Sequence, residues 1–426
     1  GHDYCLNATS SIHLKTESTT IPNQIIVILK KGGNRTLKLP FKTSILFYQD
    51  KKNFPQEVEE MKGLRTLTLS KSITLIPENF YKNFPSEAEL CLKMIKNVGE
   101  ITGHLVDDNR PIKADIIAGA YEFLEKKEFA TQIKKDMLLL AHTAKPKNPF
   151  EKPLPVLTNS KIESPAVARI ELLWKKLKVD LKATGPKQEF LNKKQKFTLE
   201  RLDDLYIHDA YNSLSIEGYS VTKKLIKRIA DGSFDPKVNK EDKTQEAAMA
   251  AKGYYLAFQA VKKFIQNNLG KKILDIHFGQ VIHFCYQNLF TPKVQSGLSK
   301  ASLLTGYRNK PVFIKGSRHT PVNSSSVVDV MEKYLQILDQ ESHPWVKAIL
   351  GHFILVYIHP YPDGNGSTAR FLMNAILVLS GYNWTIIREK EKKNYFKALE
   401  KASVENNIQD FNEFIKQELI NSRKNF

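Results

Sequence analysis

Ile358-His359-Pro360-Tyr361-Pro362-Asp363-Gly364-Asn365-Gly366-Ser367-Thr368-Ala369-Arg370 is a polar stretch between two apolar segments. Apolar residues recur at helical spacing on both sides of it, at Val346, Ile349, Leu350, Phe353 and Tyr357 before it and at Phe371, Leu372, Ala375, Ile376 and Leu379 after it. This spacing predicts two buried helices. The stretch between them is therefore expected to form a tight loop that is held at both ends.

The loop has residue types that suit the binding of an anion. Pro360 cannot continue the first helix and biases His359 away from helical geometry, so the imidazole should lie at the helix exit. Gly364 and Gly366 permit backbone conformations that other residues rarely adopt, and they open the second helix. The free N–H groups at a helix start, together with the positive end of the helix dipole, favour a bound anion.

Three side chains of the same stretch carry reactive groups. Asp363 lies at the mouth of the expected anion pocket, where a carboxylate beside phosphates usually holds Mg²⁺. Arg370 lies one turn further along and can bind a phosphate with its forked guanidinium. The imidazole of His359 titrates near neutral pH, as a general base requires. The alternative is a plain helix–loop–helix connection rich in turn formers, in which His359 acts as a cap.

The whole stretch resembles the signature of Fic-domain proteins, His-Pro-Phe-x-Asp/Glu-Gly-Asn-Gly-Arg-x-x-Arg, with Tyr361 at the Phe position. The resemblance extends over about residues 160–420 and implies an all-helical Fic domain with a β-hairpin flap. The implied activity is the transfer of AMP from ATP to a protein hydroxyl, with Mg²⁺ as cofactor. One residue departs from the signature, because Ser367 stands where the family has an Arg that helps to hold the nucleotide phosphates. Ser367 offers a hydroxyl and an N–H group instead.

The resemblance also assigns roles to individual residues. His359 would take the proton from a target Ser, Thr or Tyr, and Asp363 would hold Mg²⁺. The residues implied to bind the nucleotide are Gly364, Asn365, Gly366, Ser367, Arg370, Asn394 and Tyr395, of which the last two would line the adenine pocket.

A second motif, Ser213-Leu214-Ser215-Ile216-Glu217-Gly218, ends a helical run. Gly218 suits a helix C-terminal stop, and Ser213 and Glu217 share a helix face. A carboxylate in the last turn opposes the helix dipole at a cost of a few tenths to about 1 kcal/mol, so a cation or solvent should compensate it. The alternative is a solvated glutamate beside a glycine cap. The motif resembles the inhibitory motif of Fic proteins, which implies that Glu217 pairs with Arg370 and denies it to the γ-phosphate.

A third segment is expected to form the flap. Val312, Phe313 and Ile314 are strand-like, and Lys315-Gly316-Ser317 is a turn signal. The resemblance implies that this hairpin offers a strand edge to an extended segment of the target protein. The alternative is an ordinary surface hairpin.

The length of 426 residues predicts two or three domains. We expect a mostly α protein whose residues 1–145 form a small α+β accessory domain, with strands at 25–29, 44–48 and 67–69 and helices from Ser86 onward. Prolines in the following segment predict a linker over 146–163. Ser164-Pro165 then predicts a helix start, so the helical catalytic domain should occupy 164–426.

Composition limits the partners. The net charge of +19 comes from dispersed basic pairs, so nucleic-acid binding by the first domain is only an alternative to a docking role. The three cysteines form no paired motif, which fits a reducing cytoplasm. No apolar run is long enough to span a bilayer, and we expect no secretory leader and no membrane partner. The expected partner is a target protein, with the chain itself as one candidate target, and a homodimer stays open.

The residues leave other functions open. The same site is compatible with removal of AMP from a modified protein, with Glu217 positioning a water. It is also compatible with transfer of another nucleotide or phosphate group, because the motif does not select the base. A Fic fold without activity that binds DNA or a protein partner is the remaining alternative, motivated by Ser367 and the basic charge.

Overall fold

The computed structural model describes residues 3–151, 162, 164–186, 195–234 and 245–425. The described chain is mostly helical, as predicted, and divides into two compact units, Gly1–Leu172 and Leu173–Phe426. The division falls within a helix, α8, that spans Pro165–Thr184. Most of the proposed linker, 152–161 and 163, lies outside the described residues. In the described part of the chain, none of the helices has the length and apolar character needed to cross a membrane.

The first unit combines a sheet with short helices, and its main sheet has the strand order β1-β2-β4-β3. Strands β2 and β4 are parallel, whereas β1 and β3 run antiparallel to their neighbours. β5 and β6 form a separate antiparallel pair. The elements are β1 (Tyr4–Leu6), α1 (Ala8–Lys15), β2 (Gln24–Leu29), β3 (Arg35–Leu39), β4 (Thr43–Gln49), β5 (Glu59–Met61), β6 (Leu64–Thr66), α2 (Leu69–Leu75), α3 (Asn79–Asn83), α4 (Pro85–Met94), α5 (Val98–Asp107), α6 (Pro111–Phe123) and α7 (Lys127–Met137).

Two of the three strands predicted in this unit are confirmed, since β2 and β4 cover 25–29 and 44–48. The strand predicted at 67–69 is wrong. Strand β6 ends at Thr66, and α2 begins at Leu69 because the side chain of Thr68 accepts a hydrogen bond from the N–H of Lys71 at 3.1 Å. A threonine that caps a helix was thus mistaken for a β-branched strand residue.

Helix α8 begins where the sequence predicted, and the hydroxyl of Ser164 accepts a hydrogen bond from the N–H of Val167 at 3.4 Å. The second unit is built from the C-terminal part of α8 and from further helices. These are α9 (Gln195–Glu217), α10 (Lys223–Ala230), α11 (Gln245–Asn268), α12 (Gly279–Gln295), α13 (Val327–Gln340), α14 (Pro344–Ile358), α15 (Asn365–Leu379), α16 (Lys392–Glu405) and α17 (Gln409–Asn425).

Helices α14 and α15 form the centre of this unit. Their side chains are almost all buried, and the two helices pack against each other. α15 also contacts α9, α11 and α12. The loop 359–364 is consequently held by two core helices and faces the elements that carry the second motif.

The predicted flap strand is not formed. Residues Val312, Phe313 and Ile314 are extended, and a turn follows in which the N–H of Ser317 donates to the carbonyl of Ile314 at 3.1 Å. A strand requires a hydrogen-bonded neighbour. Among the described residues none pairs with 312–314, and the side chain of Phe313 is 79% exposed.

Candidate active site

The backbone of His359 leaves helix α14 in a left-handed conformation, with φ 55° and ψ 58°. Its N–H still donates to the carbonyl of Leu355 at 3.0 Å. This conformation is unfavourable for a residue that is not glycine, so the surrounding contacts must hold it. The expectation that His359 lies at the helix exit is confirmed.

Arg308 supplies those contacts. Its Nε donates to the carbonyl of His359 at 2.7 Å, and its Nη1 donates to the carbonyl of Lys310 at 3.1 Å. Its Nη2 donates to the carbonyls of Ile358, at 3.4 Å, and Val322. Arg308 is buried, and burial lowers its pKa, but the cation faces the carbonyl end of α14, which the helix dipole favours. The sequence analysis assigned no role to this residue.

Under the role that the sequence predicts for His359, replacing Arg308 with Lys should slow proton transfer to this residue and leave the affinity for the predicted nucleotide, ATP, unchanged. Lysine keeps the charge but cannot reach several carbonyls with one planar fork, so the helix exit loosens. We also expect the free energy of unfolding to fall by about 1–3 kcal/mol. The measurements are urea unfolding, ATP affinity and labelling rate, with Lys310→Met as the control, since the side chain of Lys310 is exposed. An unchanged rate would contradict the positioning role.

The imidazole of His359 is arranged to accept a proton on Nε2. Its Nδ1 lies 3.2 Å from the carbonyl of Val356, so Nδ1 carries the hydrogen of the neutral ring and the lone pair is on Nε2. Burial lowers the pKa of His359; the hydrogen bond to Val356 opposes this effect, and the charge of Arg308 adds to it. The net shift is downward, which keeps the ring neutral at neutral pH.

The side chain of Asn365 stabilises the loop by two hydrogen bonds to the backbone of Tyr361. Its Oδ1 accepts from the N–H of Tyr361 at 3.0 Å, and its Nδ2 donates to the carbonyl of the same residue at 2.8 Å. The ring of Tyr361 stacks on Tyr286 at 3.7 Å between centroids, so tyrosine provides the aromatic face expected of phenylalanine here. With its amide occupied, Asn365 can offer a ligand only its backbone N–H.

Two glycines at the start of α15 allow side chains of other helices to pack directly against the backbone. Gly364 has φ 75°, and a Cβ there would lie 2.5 Å from the ring of Phe290. A Cβ on Gly366 would lie 2.5 Å from Oε1 of Glu217. The second motif therefore lies directly over the helix start, at a distance that only glycine permits.

Arg370 is buried and contacts both polar residues of the second motif. Its Nη2 donates to Oε1 of Glu217 at 2.6 Å, and its Nε donates to Oγ of Ser213 at 2.8 Å. Nη2 also lies 3.1 Å from Oγ of Ser367. Burial alone would lower the pKa of Arg370, but Glu217, Tyr395 and Tyr254 together more than offset it, and the net shift is upward. Gly218 ends α9 with φ 95°, as predicted.

A buried polar pair that the sequence analysis missed lies near this guanidinium. The hydroxyl of Tyr254 donates to Oδ2 of Asp209 at 2.7 Å. Burial raises the pKa of Asp209 to about 6, although its hydrogen bonds and Arg370 act in the opposite direction. Asp209 lies one turn before Ser213 on α9, and its spacing of four residues from Ser213 was the available signal.

A cavity of about 320 Å³ that opens to solvent joins the two motifs. Its polar side chains come from α9, the segment after α9, α12, the loop and α15, and are those of Glu217, Tyr219, Lys293, Asp363 and Ser367.

Asp363 fits the role of a magnesium ligand. Its Oδ1 accepts from the N–H of Gly364 at 2.7 Å, and its Oδ2 receives only a long contact, 3.4 Å, from the hydroxyl of Tyr219. Mg²⁺ in nucleotide sites is commonly held by one or two carboxylates together with substrate phosphates, so a single exposed carboxylate is sufficient. Within the described ranges there is no group of three or more His, Cys, Asp or Glu residues that could hold a metal alone.

Lys293 is a further residue that the sequence analysis missed. It is 6% exposed, and its Nζ donates to the hydroxyl of Tyr219 at 2.8 Å and to Oε1 of Glu246 at 3.2 Å. Burial lowers the pKa of Lys293, but the bonds to Tyr219 and Glu246 raise it overall, so the ammonium stays charged. Because α12 and the loop are far apart in sequence, no residue spacing indicated that Lys293 would lie near Asp363.

Asn394 and Tyr395 do not line this cavity. Asn394 is exposed, and its Nδ2 donates to Glu391 at 2.8 Å. Tyr395 is buried, with its hydroxyl 2.9 Å from Nε2 of His352. Tyr395 also hydrogen-bonds Arg370, so this residue lies beside the pair of Arg370 and Glu217 although it does not line the cavity.

Part of the chain is similar in sequence to known proteins. Residues 271–377 match the model of the Fic/DOC family. This segment of the chain is similar to Fic domains. Over 217 residues it is 28% identical to Protein adenylyltransferase Fic of Drosophila melanogaster, covering 50% of this chain and 40% of that protein. It is also 28% identical to the protein of the same name from Nematostella vectensis, over 47% of this chain and 44% of the relative.

The chain thus spans about two fifths of the length of the curated relatives it matches. Among solved structures it is similar to Fic-1 (residues 134–508) from C. elegans, with a TM-score of 0.42 and 17% identity, over 84% of this chain and 89% of that one. A Fic-domain-containing signalling protein from Bacteroides thetaiotaomicron has a TM-score of 0.42 and 19% identity, over 60% of this chain and 94% of that one.

Proposed function

We propose that this protein transfers AMP from ATP to a Ser, Thr or Tyr hydroxyl of a protein, and that Glu217 inhibits the transfer by holding Arg370. The observation that carries the proposal is the neutral imidazole of His359, with Nε2 available, in the loop that leads into the glycine-lined start of α15. The relatives named protein adenylyltransferase support the same reaction.

In the proposed reaction, His359 accepts a proton and the start of α15 binds the transferred phosphate. The target hydroxyl oxygen attacks the α-phosphorus of ATP while its proton passes to Nε2 of His359. The bond from the α-phosphorus to the oxygen that bridges to the β-phosphorus breaks, and pyrophosphate leaves. The N–H groups at the start of α15 stabilise the charge that develops on the transferred phosphate.

Asp363 would hold Mg²⁺, which when bound neutralises charge on the phosphates. The acceptor side of the site is open. Phe313 extends into solvent with no strand neighbour among the described residues, and a target segment that pairs with 312–314 would supply the missing hydrogen bonds.

Inhibition follows from competition for one guanidinium. Arg370 is buried, and Nη2 binds Glu217 and Ser367 while Nε binds Ser213. A γ-phosphate could use the Nη2 donor only after Glu217 moves, since the carboxylate already occupies it. A charge-assisted contact of this kind is strong enough to compete with a phosphate.

Removal of AMP from a modified protein is the second candidate. Glu217 lines the cavity and its side chain is 24% exposed, so its carboxylate could orient a water toward a phosphoester. Incubation of an AMPylated protein with the wild type and with Glu217→Gly separates the two directions. Loss of AMP that requires Glu217 supports removal, whereas incorporation that increases without Glu217 supports transfer.

The test of the proposed function is incorporation of label from α-³²P-ATP into the chain or into lysate proteins. Label should appear with Glu217→Gly and be absent when His359 is also replaced. Competition by unlabelled ATP, GTP, CTP and UTP then shows which base is accepted. Equal label with all His359 variants would contradict the proposal.

The rate of labelling should follow the neutral form of His359. Because burial lowers the pKa below its ordinary value of 6.5, the rate should stay constant as the pH falls to 6.5 and decline only at lower pH. The measurement is kcat/KM of Glu217→Gly from about pH 5 to pH 8, the range in which histidines titrate. An acid limb with its midpoint above 6.5 would contradict this assignment.

A further inference from the structure

The cavity between the two motifs is lined by one cationic side chain that neither motif contains. Its lining residues, all of which belong to the described part of the chain, include a single cationic side chain, Lys293. Arg370 is already bound to Glu217, and position 367 carries serine. A triphosphate bound at the start of α15 brings up to about four negative charges at neutral pH, more than one guanidinium balances.

Lys293 is built into the cavity wall and is not a surface lysine that happens to point inward. Its ammonium lies over the ring of Tyr219 at 4.7 Å and the ring of Phe290 at 5.6 Å, and Phe290 also contacts the Gly364 position. The hydroxyl of Tyr219 bonds both Lys293, at 2.8 Å, and Asp363, at 3.4 Å. Tyr219 therefore links the ammonium to the carboxylate expected to hold Mg²⁺.

We propose that Lys293 binds the phosphates of the nucleotide and supplies the cation that Ser367 does not provide. The proposal rests on the proposed function, since it concerns the same cavity. Tyr219 keeps the ammonium beside Asp363, and Glu246, whose side chain is 64% exposed, is the partner that a phosphate replaces. A phosphate is the better partner because its charge lies inside the cavity whereas Glu246 is exposed to water.

A purely structural lysine is the competing explanation, in which Lys293 only supports Tyr219 and the end of α12. The two explanations differ in which ligands they affect. A phosphate ligand matters for ATP but not for adenosine, whereas a wall residue matters for both. A structural lysine would also gain nothing from a new arginine at position 367.

The experiment compares variants in the Glu217→Gly background of the full chain. Calorimetry measures the affinity for ATP with Mg²⁺ and for adenosine, and labelling gives KM and kcat. Lys293→Met should weaken ATP binding and raise KM by about tenfold or more, the effect of losing a hydrogen bond to a charged group, and should leave adenosine affinity unchanged. Lys293→Arg should retain most of the affinity. Lys252→Met is the matched control, because Lys252 is exposed on α11.

Adding Ser367→Arg to Lys293→Met should restore ATP affinity, and this rescue keeps the test valid if Lys293→Met lowers the thermal midpoint. ATP affinity and KM that do not change in Lys293→Met, or equal losses for ATP and adenosine without rescue, would overturn the inference while the proposed function stands. A Glu217→Gly parent that neither binds ATP nor incorporates label would instead overturn the proposed function, and this inference with it.

Discussion

Replacing His359 with Asn is expected to reduce labelling from ATP by about 10²–10⁴-fold, the usual contribution of a general base. Asparagine tolerates the left-handed backbone that His359 adopts, so the helix exit and the fold should be retained. It lacks a basic nitrogen, so the proton of the target hydroxyl has no acceptor. The measurement is kcat/KM for labelling in the Glu217→Gly background.

The matched control is His283→Ala, because His283 is exposed on α12 of the same unit. It should label as the parent does. ATP affinity should also persist in His359→Asn, since the imidazole acts on the acceptor and not on the phosphates. Labelling of His359→Asn at the parent rate would show that another group takes the proton.

Replacing Glu217 with Gly should increase labelling by about 10–100-fold, equivalent to the 1.5–3 kcal/mol that a hydrogen bond to a charged group contributes. The reason is that the guanidinium of Arg370 loses the carboxylate at 2.6 Å and becomes available to the γ-phosphate. The same variant removes Oε1 of Glu217, which would lie 2.5 Å from a Cβ at position 366, so the start of α15 also becomes more open. The measurements are ATP affinity by calorimetry and the initial rate of labelling.

Glu332→Gly controls for the cost of placing glycine in a helix, because Glu332 is exposed on α13. Combining Glu217→Gly with Arg370→Met should remove the gain, since the released guanidinium is then missing. Equal labelling by the wild type and Glu217→Gly would refute inhibition by Glu217, even though the two side chains are in contact.

Local patterns predicted the parts of this fold that depend on neighbouring residues. The helical spacing around residues 346–379 predicted α14 and α15, and Gly218 predicted the end of α9. Predictions failed where a residue type that is common in strands also occurs in another local structure. Thr68 caps a helix, and Phe313 lies in an extended segment without a partner strand, although both are β-formers.

Sequence alone determined the local structure of the loop between α14 and α15, because a proline that stops a helix, two glycines that open the next, and the polar groups between them act within twelve residues of chain. Only the tertiary structure decided what surrounds that loop. Arg308 at the helix exit, Glu217 on Arg370 and Lys293 in the cavity wall come from distant segments. Contacts of this kind depend on how helices pack, and packing leaves no periodic signal that links α9 or α12 to residues 359–370.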